Sequence, residues 1–225
     1  MTVDNKNFFK DDVAADWKME GKPALLIMHM QKGIVGNGIM TPVPHQDSWD
    51  AIKKYHIIEQ QTKLADAFRA KKLPVIFGAV MPRPCKCPEW GAIYRNQNAL
   101  PDEFEGDIDN PAVLDLCQII PEMKRQPSDY VTYHWGIGAF NNSGLDAILQ
   151  MEGVKTVVVT GWTAHSTCYN AIIACTERYY NVILPKDATN SPASVNQEGA
   201  YEAVIRSFAP MWALVTTVDD VIAHL

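Results

Sequence analysis

The sequence predicts an α/β fold of three αβα layers: a doubly wound, mostly parallel, Rossmann-like sheet with helices on both faces. Three observations carry that prediction. Continuous apolar runs are bounded by turn residues, helical periodicity fills the intervals between them, and most connections are short.

The elements follow in order. Residues 24–28 (ALLIM) come after Gly21-Lys22-Pro23 as an uninterrupted apolar run, the pattern of a strand buried on both faces. Residues 33–44 read as a Gly/Pro-rich loop. From 57 to 72 the helical spacing turns Ile58, Leu64, Ala65 and Phe68 inward, and Lys and Arg crowd the last turn, where the helix dipole favours them. Residues 73–80 form the next strand. Residues 81–111 are irregular and rich in Pro, Trp, Asn and acids, and a connection of that length in a compact domain is typically a binding or lid segment. A short strand at 131–134 precedes a helix at 145–151, which Gly153 caps. Then come a β-branched strand at 156–160, a helix at 167–180, a strand at 181–185, a helix at 197–208, a strand at 213–217 and a short helix at 219–225. Residues 1–22 are expected to be an N-terminal arm, with Phe8, Phe9 and Trp17 as anchors on the domain or on a neighbouring subunit. Residues 23–225 are expected to be one domain, long enough to bury a full core.

Composition narrows the function. A net charge of −6 argues against a nucleic-acid partner, which calls for a basic face. No apolar run reaches the roughly 18–20 residues of a membrane span, and the polar, acidic start lacks the features of a signal peptide. Five cysteines, an odd number, point to reduced thiols in a cytoplasmic setting. Cys85-x-Cys87 has no second Cys/His pair at zinc-site spacing, so neither metal nor cofactor is expected from it.

In doubly wound sheets the ligand crevice lies beyond the carboxyl ends of the strands. That selects His29 and Gln31, residues 81–90, 134–140 and 161–168. Leu26-Ile-Met-His29-Met-Gln31 reads as an apolar strand followed by a variant of D-x-Q. His134-Trp-Gly-Ile-Gly138-Ala139-Phe140 reads as a variant of K-x-x-x-S-A-F. Val157-Val-Val-Thr-Gly161-Trp-Thr-Ala-His-Ser-Thr167 reads as a strand followed by G-x-x-T-[ND]-x-C. Tyr180-Asn-Val182 and Asp187-Ala188 follow in step. In this order and at this spacing, from about Lys22 to the C-terminus, the stretches resemble the isochorismatase-like (cysteine hydrolase) family.

The resemblance implies an aspartate base, a charge-stabilising lysine and a cysteine nucleophile attacking a C–N carbonyl at a helix N-terminus. Here those positions hold His29, His134 and Thr167. Counting forward from Gly161 or backward from Asp187 selects Thr167. Cys168 is next door, rotated by about 100° on a helix, and would take the position only if a one-residue insertion were offset by a deletion. Hydrogen-bonded to one another, His29 and His134 are expected to share a proton, with coupled pKa values near neutrality.

The remaining pocket candidates each have two readings. Gln31 anchors its loop or touches substrate. Trp90, Tyr94, Trp135 and Trp162 wall a pocket or belong to the core. His165 lines the pocket or faces outward, and Cys168 lies beside the site or packs. His45, His56 and His224 are given no role. The backbone N–H groups of the helix beginning near Thr167 suit an oxyanion or a ligand carboxylate.

Three functions are compatible with this constellation. The first is a small-metabolite hydrolase in which His29 and His134 move protons and water attacks directly, or Thr167 attacks with histidine as base. The second is a binding or regulatory protein on the same scaffold. The third is a metal site built from His29, His134 and His165. The partner is a small molecule, with neither nucleic acid nor membrane, and the resemblance further implies a homodimer or homotetramer.

Overall fold

The computed structural model describes residues 17–36, 45–81, 110–192, 200–208 and 211–225. In chain order the elements are β1 (Lys22–Met28), α1 (His45–Lys54), α2 (Ile57–Ala70), β2 (Val75–Val80), α3 (Pro111–Cys117), β3 (Tyr130–His134), α4 (Leu145–Met151), β4 (Val154–Trp162), α5 (Tyr169–Thr176), β5 (Asn181–Pro185), β6 (Thr189–Asn190), α6 (Ala200–Phe208), β7 (Leu214–Thr216) and α7 (Val218–Ala223). Single π-helical turns follow two strands: Lys32–Gly36 after β1, and Ala164–Cys168 after β4.

Among the described residues seven strands form one parallel sheet in the order β3-β2-β1-β4-β5-β7, with β6 extending alongside the end of β4. The chain winds outward from β1 to β3, then returns and winds the other way from β4 to β7. The order therefore reverses between β1 and β4, and the crevice at such a reversal is where doubly wound sheets bind ligands.

Alternation along the strands builds two cores. Leu25, Ile27, Phe77, Val158 and Trp162 meet Leu64 and Phe68 of α2, Val113 of α3 and Val221 of α7 on one face. Leu26, Met28, Ile76, Val157 and Val159 meet Leu149 of α4, Ile172 of α5 and Phe208 of α6 on the other. Fully burying each large aliphatic side chain is worth roughly 1.5–3 kcal/mol. The double-sided burial of β1 explains why it reads as a continuous apolar run.

One glycine sets how closely the central strands approach. Gly161 pairs with Met28 and has φ +132°, and a Cβ there would fall 2.3 Å from the Met28 carbonyl oxygen. Only glycine lets the ends of β1 and β4 come this close. Several local expectations shift. The helix expected over 167–180 begins earlier, as the π turn at Ala164, and its α-helical part ends at Thr176. Two helices, α1 and α3, stand where none was expected. No helix among the described residues is long and apolar enough to cross a membrane.

Candidate functional site

Three side chains from three elements converge at the carboxyl edge. His29 follows β1, His134 ends β3, and Thr167 lies in the π turn after β4. His29 leaves the strand with φ 57°, while its N–H donates to Gly78 O at 2.8 Å. A left-handed conformation in a non-glycine residue costs on the order of 1 kcal/mol and persists where surrounding structure enforces it. It ends the alternation of β1 and turns the imidazole toward Thr167 and His134.

The three groups form one hydrogen-bonded chain. Thr167 Oγ1 lies 3.1 Å from His29 Nδ1, and His29 Nε2 lies 3.0 Å from His134 Nε2. The two rings are nearly parallel, at 16°, with centroids 4.9 Å apart. Exposure is 5% for His29, 0% for His134 and 4% for Thr167, so the chain is sequestered from bulk water.

Burial decides the protonation state. It holds His29 well below the ordinary histidine range, and the neighbouring His134 ring pushes in the same direction. Burial lowers His134 to about 4, opposed by the Gly136 backbone. Both rings are therefore neutral at pH 7, which corrects the expectation of pKa values near neutrality: desolvation of a charged ring outweighs any gain from sharing the proton.

Two neutral proton arrangements satisfy the chain. In the first, the Thr167 hydroxyl donates to His29 Nδ1, His29 Nε2–H donates to His134 Nε2, and His134 keeps its proton on Nδ1. In the second, every donor is reversed. His134 Nδ1 is buried without a hydrogen-bond partner among the described residues. The first arrangement is the one that aims the lone pair of His29 at the Thr167 hydroxyl.

The remaining candidates separate by environment. Gln31 is fully buried: Nε2 donates to Val80 O at 2.8 Å and Cys117 O at 2.9 Å, and Oε1 accepts from Val80 N–H at 2.7 Å. It ties β1 to β2 and α3, so its amide is committed to positioning rather than substrate contact. Trp162 belongs to the core, with Nε1 donating to Ser48 Oγ at 3.3 Å, and is corrected from pocket wall to packing.

Cys168 is also a correction. Its thiol is fully buried in the second core, 3.5 Å from Thr189 Oγ1, and burial pushes it up to about 12. Thr189 Oγ1 already donates to Gly161 O at 2.9 Å, so the thiol is the donor in that contact and is held protonated. His165 is exposed, with Nδ1 2.7 Å from the hydroxyl of buried Ser191. Trp135 is half-buried directly after His134. Trp90 and Tyr94 lie outside the described residues.

The Cys168 N–H donates to Thr163 O at 3.0 Å, the first bond of the turn. The N–H groups of residues 164–167 precede it and form the donor-rich end expected of a helix start. Gly136 and Ser191 were not anticipated. Gly136 adopts φ 67°, and its place two residues after a strand-end histidine was the available signal. Among the described residues, no group of three or more His, Cys, Asp or Glu has metal-holding geometry.

A model of the isochorismatase domain matches residues 23–220. The chain belongs to the isochorismatase family. Ureidoacrylate amidohydrolase RutB of Pseudomonas savastanoi pv. phaseolicola is 26% identical over 210 residues, covering 89% of this chain and 82% of that protein. The phenazine biosynthesis protein PhzD of Pseudomonas fluorescens is 23% identical, covering 92% and 89%. Among solved structures, a cysteine hydrolase from Pseudomonas syringae pv. phaseolicola 1448A superposes with a TM-score of 0.74 at 20% identity, covering 96% of this chain and 98% of that one. N-carbamoylsarcosine amidase from Thermoplasma acidophilum does so with 0.62 at 21%, covering 88% and 97%. These likenesses establish the isochorismatase-family fold on which the Thr167–His29–His134 chain is mounted.

Proposed function

We propose that this isochorismatase-family member is a hydrolase of a small metabolite, in which Thr167 attacks, His29 is the general base and His134 holds the tautomer of His29. The observation that carries this reading is the 3.1 Å contact between Thr167 Oγ1 and His29 Nδ1, backed by the 3.0 Å contact from His29 Nε2 to His134. Nucleophile, base and orienting group stand in the sequence that activates a hydroxyl. Thr167 rather than free water is the attacking group, because its hydroxyl occupies the nitrogen that must accept the proton. The relatives named for amidohydrolase and amidase activity support hydrolysis as the reaction class.

The chemistry differs from that of a thiolate. A secondary alcohol needs its base at the moment of attack, since it holds its proton at neutral pH. Low histidine pKa values keep the base in its neutral, competent form through the whole neutral range, so the rate is expected to stay flat from pH 7 to 9 and to fall only on the acid side. His29→Gln in the full chain tests the role directly. It is expected to lower kcat for 4-nitrophenyl acetate by at least about 100-fold. An unchanged rate would remove His29 from the reaction and leave a ligand-binding protein on a hydrolase scaffold.

A further inference from the structure

Hydrolysis by this relay creates a positive charge that no carboxylate among the described residues balances. When Thr167 Oγ1 bonds to a carbonyl carbon, the carbonyl electron pair moves to oxygen and the Thr167 proton moves to His29 Nδ1. His29 is then an imidazolium, and its other nitrogen faces His134 Nε2 at 3.0 Å. In Ser-His-Asp triads that second partner is a carboxylate, which stabilises the imidazolium. Here it is a neutral imidazole, and both rings are buried. The only opposing charge is the transient oxyanion, since no carboxylate among the described residues is bonded to His29. A buried cation without a fixed partner is costly, so the proton on His29 is short-lived and returns readily to the threonine oxygen.

That lifetime governs which bond breaks. The tetrahedral intermediate can expel the Thr167 oxygen or the leaving group. An amine leaves only after its nitrogen receives the proton from His29, whereas an ester oxygen is comparable to the threonine oxygen itself and departs with little prior protonation. We infer, building on the hydrolase reading above, that the Thr167–His29–His134 relay is selective for carboxylic esters and discriminates against the C–N bonds of amides and ureides. The ester cycle balances. The C–O bond to the leaving group breaks, the His29 proton goes to the departing oxygen, and an alcohol is released. Water then attacks the acyl-threonine and gives one proton to His29, which returns it to Thr167 Oγ1 as the carboxylic acid leaves.

The test compares matched esters and amides of one acid with the full chain: 4-nitrophenyl acetate against 4-nitroacetanilide. With each turnover rate divided by that substrate's own hydroxide-catalysed rate, the ester is expected to be favoured by at least about 10⁴-fold, comparable to the effect of losing the triad carboxylate. His134→Asp supplies the missing negative charge and is expected to narrow that ratio by tenfold or more. Should His134→Asp fail to fold, a series of ring-substituted acetanilides and phenyl acetates on the wild-type chain reads the same property. The amide rates should fall steeply as the leaving group becomes more basic, and the ester rates only weakly. An amide within tenfold of its ester on that corrected scale, or equal slopes in the two series, overturns the selectivity and leaves the hydrolase reading standing. If neither probe turns over while small carbonyl ligands bind, both readings fall.

Discussion

Thr167 and Cys168 are neighbours in one π-helical turn, yet they inhabit opposite worlds. Thr167 faces the His29 imidazole, while Cys168 lies in the second hydrophobic core with its thiol against the Thr189 hydroxyl. The more nucleophilic element sits where it cannot ionise, and the less nucleophilic one sits beside a base. On the proposed reading, reactivity is assigned by position: desolvation suppresses the thiolate, whereas His29 Nδ1, 3.1 Å from Thr167 Oγ1, serves as base for the alcohol.

The contrast can be broken by moving sulfur to the other side of the turn. Thr167→Cys places a thiol against His29, and its alkylation by iodoacetamide at pH 7.5 should exceed that of native Cys168 by about 3,000-fold, the ratio of thiolate fractions between an ordinary thiol and one held near 12. Equal labelling of the two positions, read by peptide mass spectrometry, would mean that the environments do not differ as described. A smaller effect sharpens the same comparison from the imidazole side. His29 and His134 have folded-state pKa values below their unfolded ones, so the unfolded chain binds more protons as pH falls below about 6.5. Stability is fully present above that pH and is lost towards pH 4. Urea unfolding should show a loss of about 2 kcal/mol between pH 7 and pH 5 from His134 alone, with a further loss from His29, and His134→Gln should remove the His134 share. A variant with the same pH slope as wild type would place the titrating groups elsewhere.

How much of this was legible depends on which signal carried each feature. Strands β1, β2, β4 and β5 were readable because burial on both faces leaves near-continuous apolar runs. The convergence of His29, His134 and Thr167 was readable because each falls at or just beyond a strand end, and parallel topology brings such ends together. Helix α1 was not readable: HQDSWDAIKK is largely polar and offers only a thin apolar stripe around Ala51 and Ile52. Helix α3 carried a signal in Asn110-Pro111, where Asn110 Oδ1 accepts from Ala112 N–H and proline takes the first turn, but the irregular stretch before it masked that signal. Trp162 was misplaced because a strand-end aromatic reads alike whether it faces crevice or core, and only the Ser48 contact distinguishes the two. The histidine pKa values were misjudged because the sequence gives proximity but not depth.

The neighbouring pair in the π turn also offers the most direct test of the central claim. Cys168→Ala and Thr167→Ala are to be assayed side by side on 4-nitrophenyl acetate, with each variant first shown to be folded by circular dichroism. Cys168→Ala is predicted to keep its turnover within about threefold while losing roughly 1–2 kcal/mol of stability from its core. Thr167→Ala is predicted to lose about 1,000-fold or more in kcat at unchanged fold. The reverse outcome, with activity lost at Cys168 and retained at Thr167, would contradict the relay and return the chemistry to a thiol.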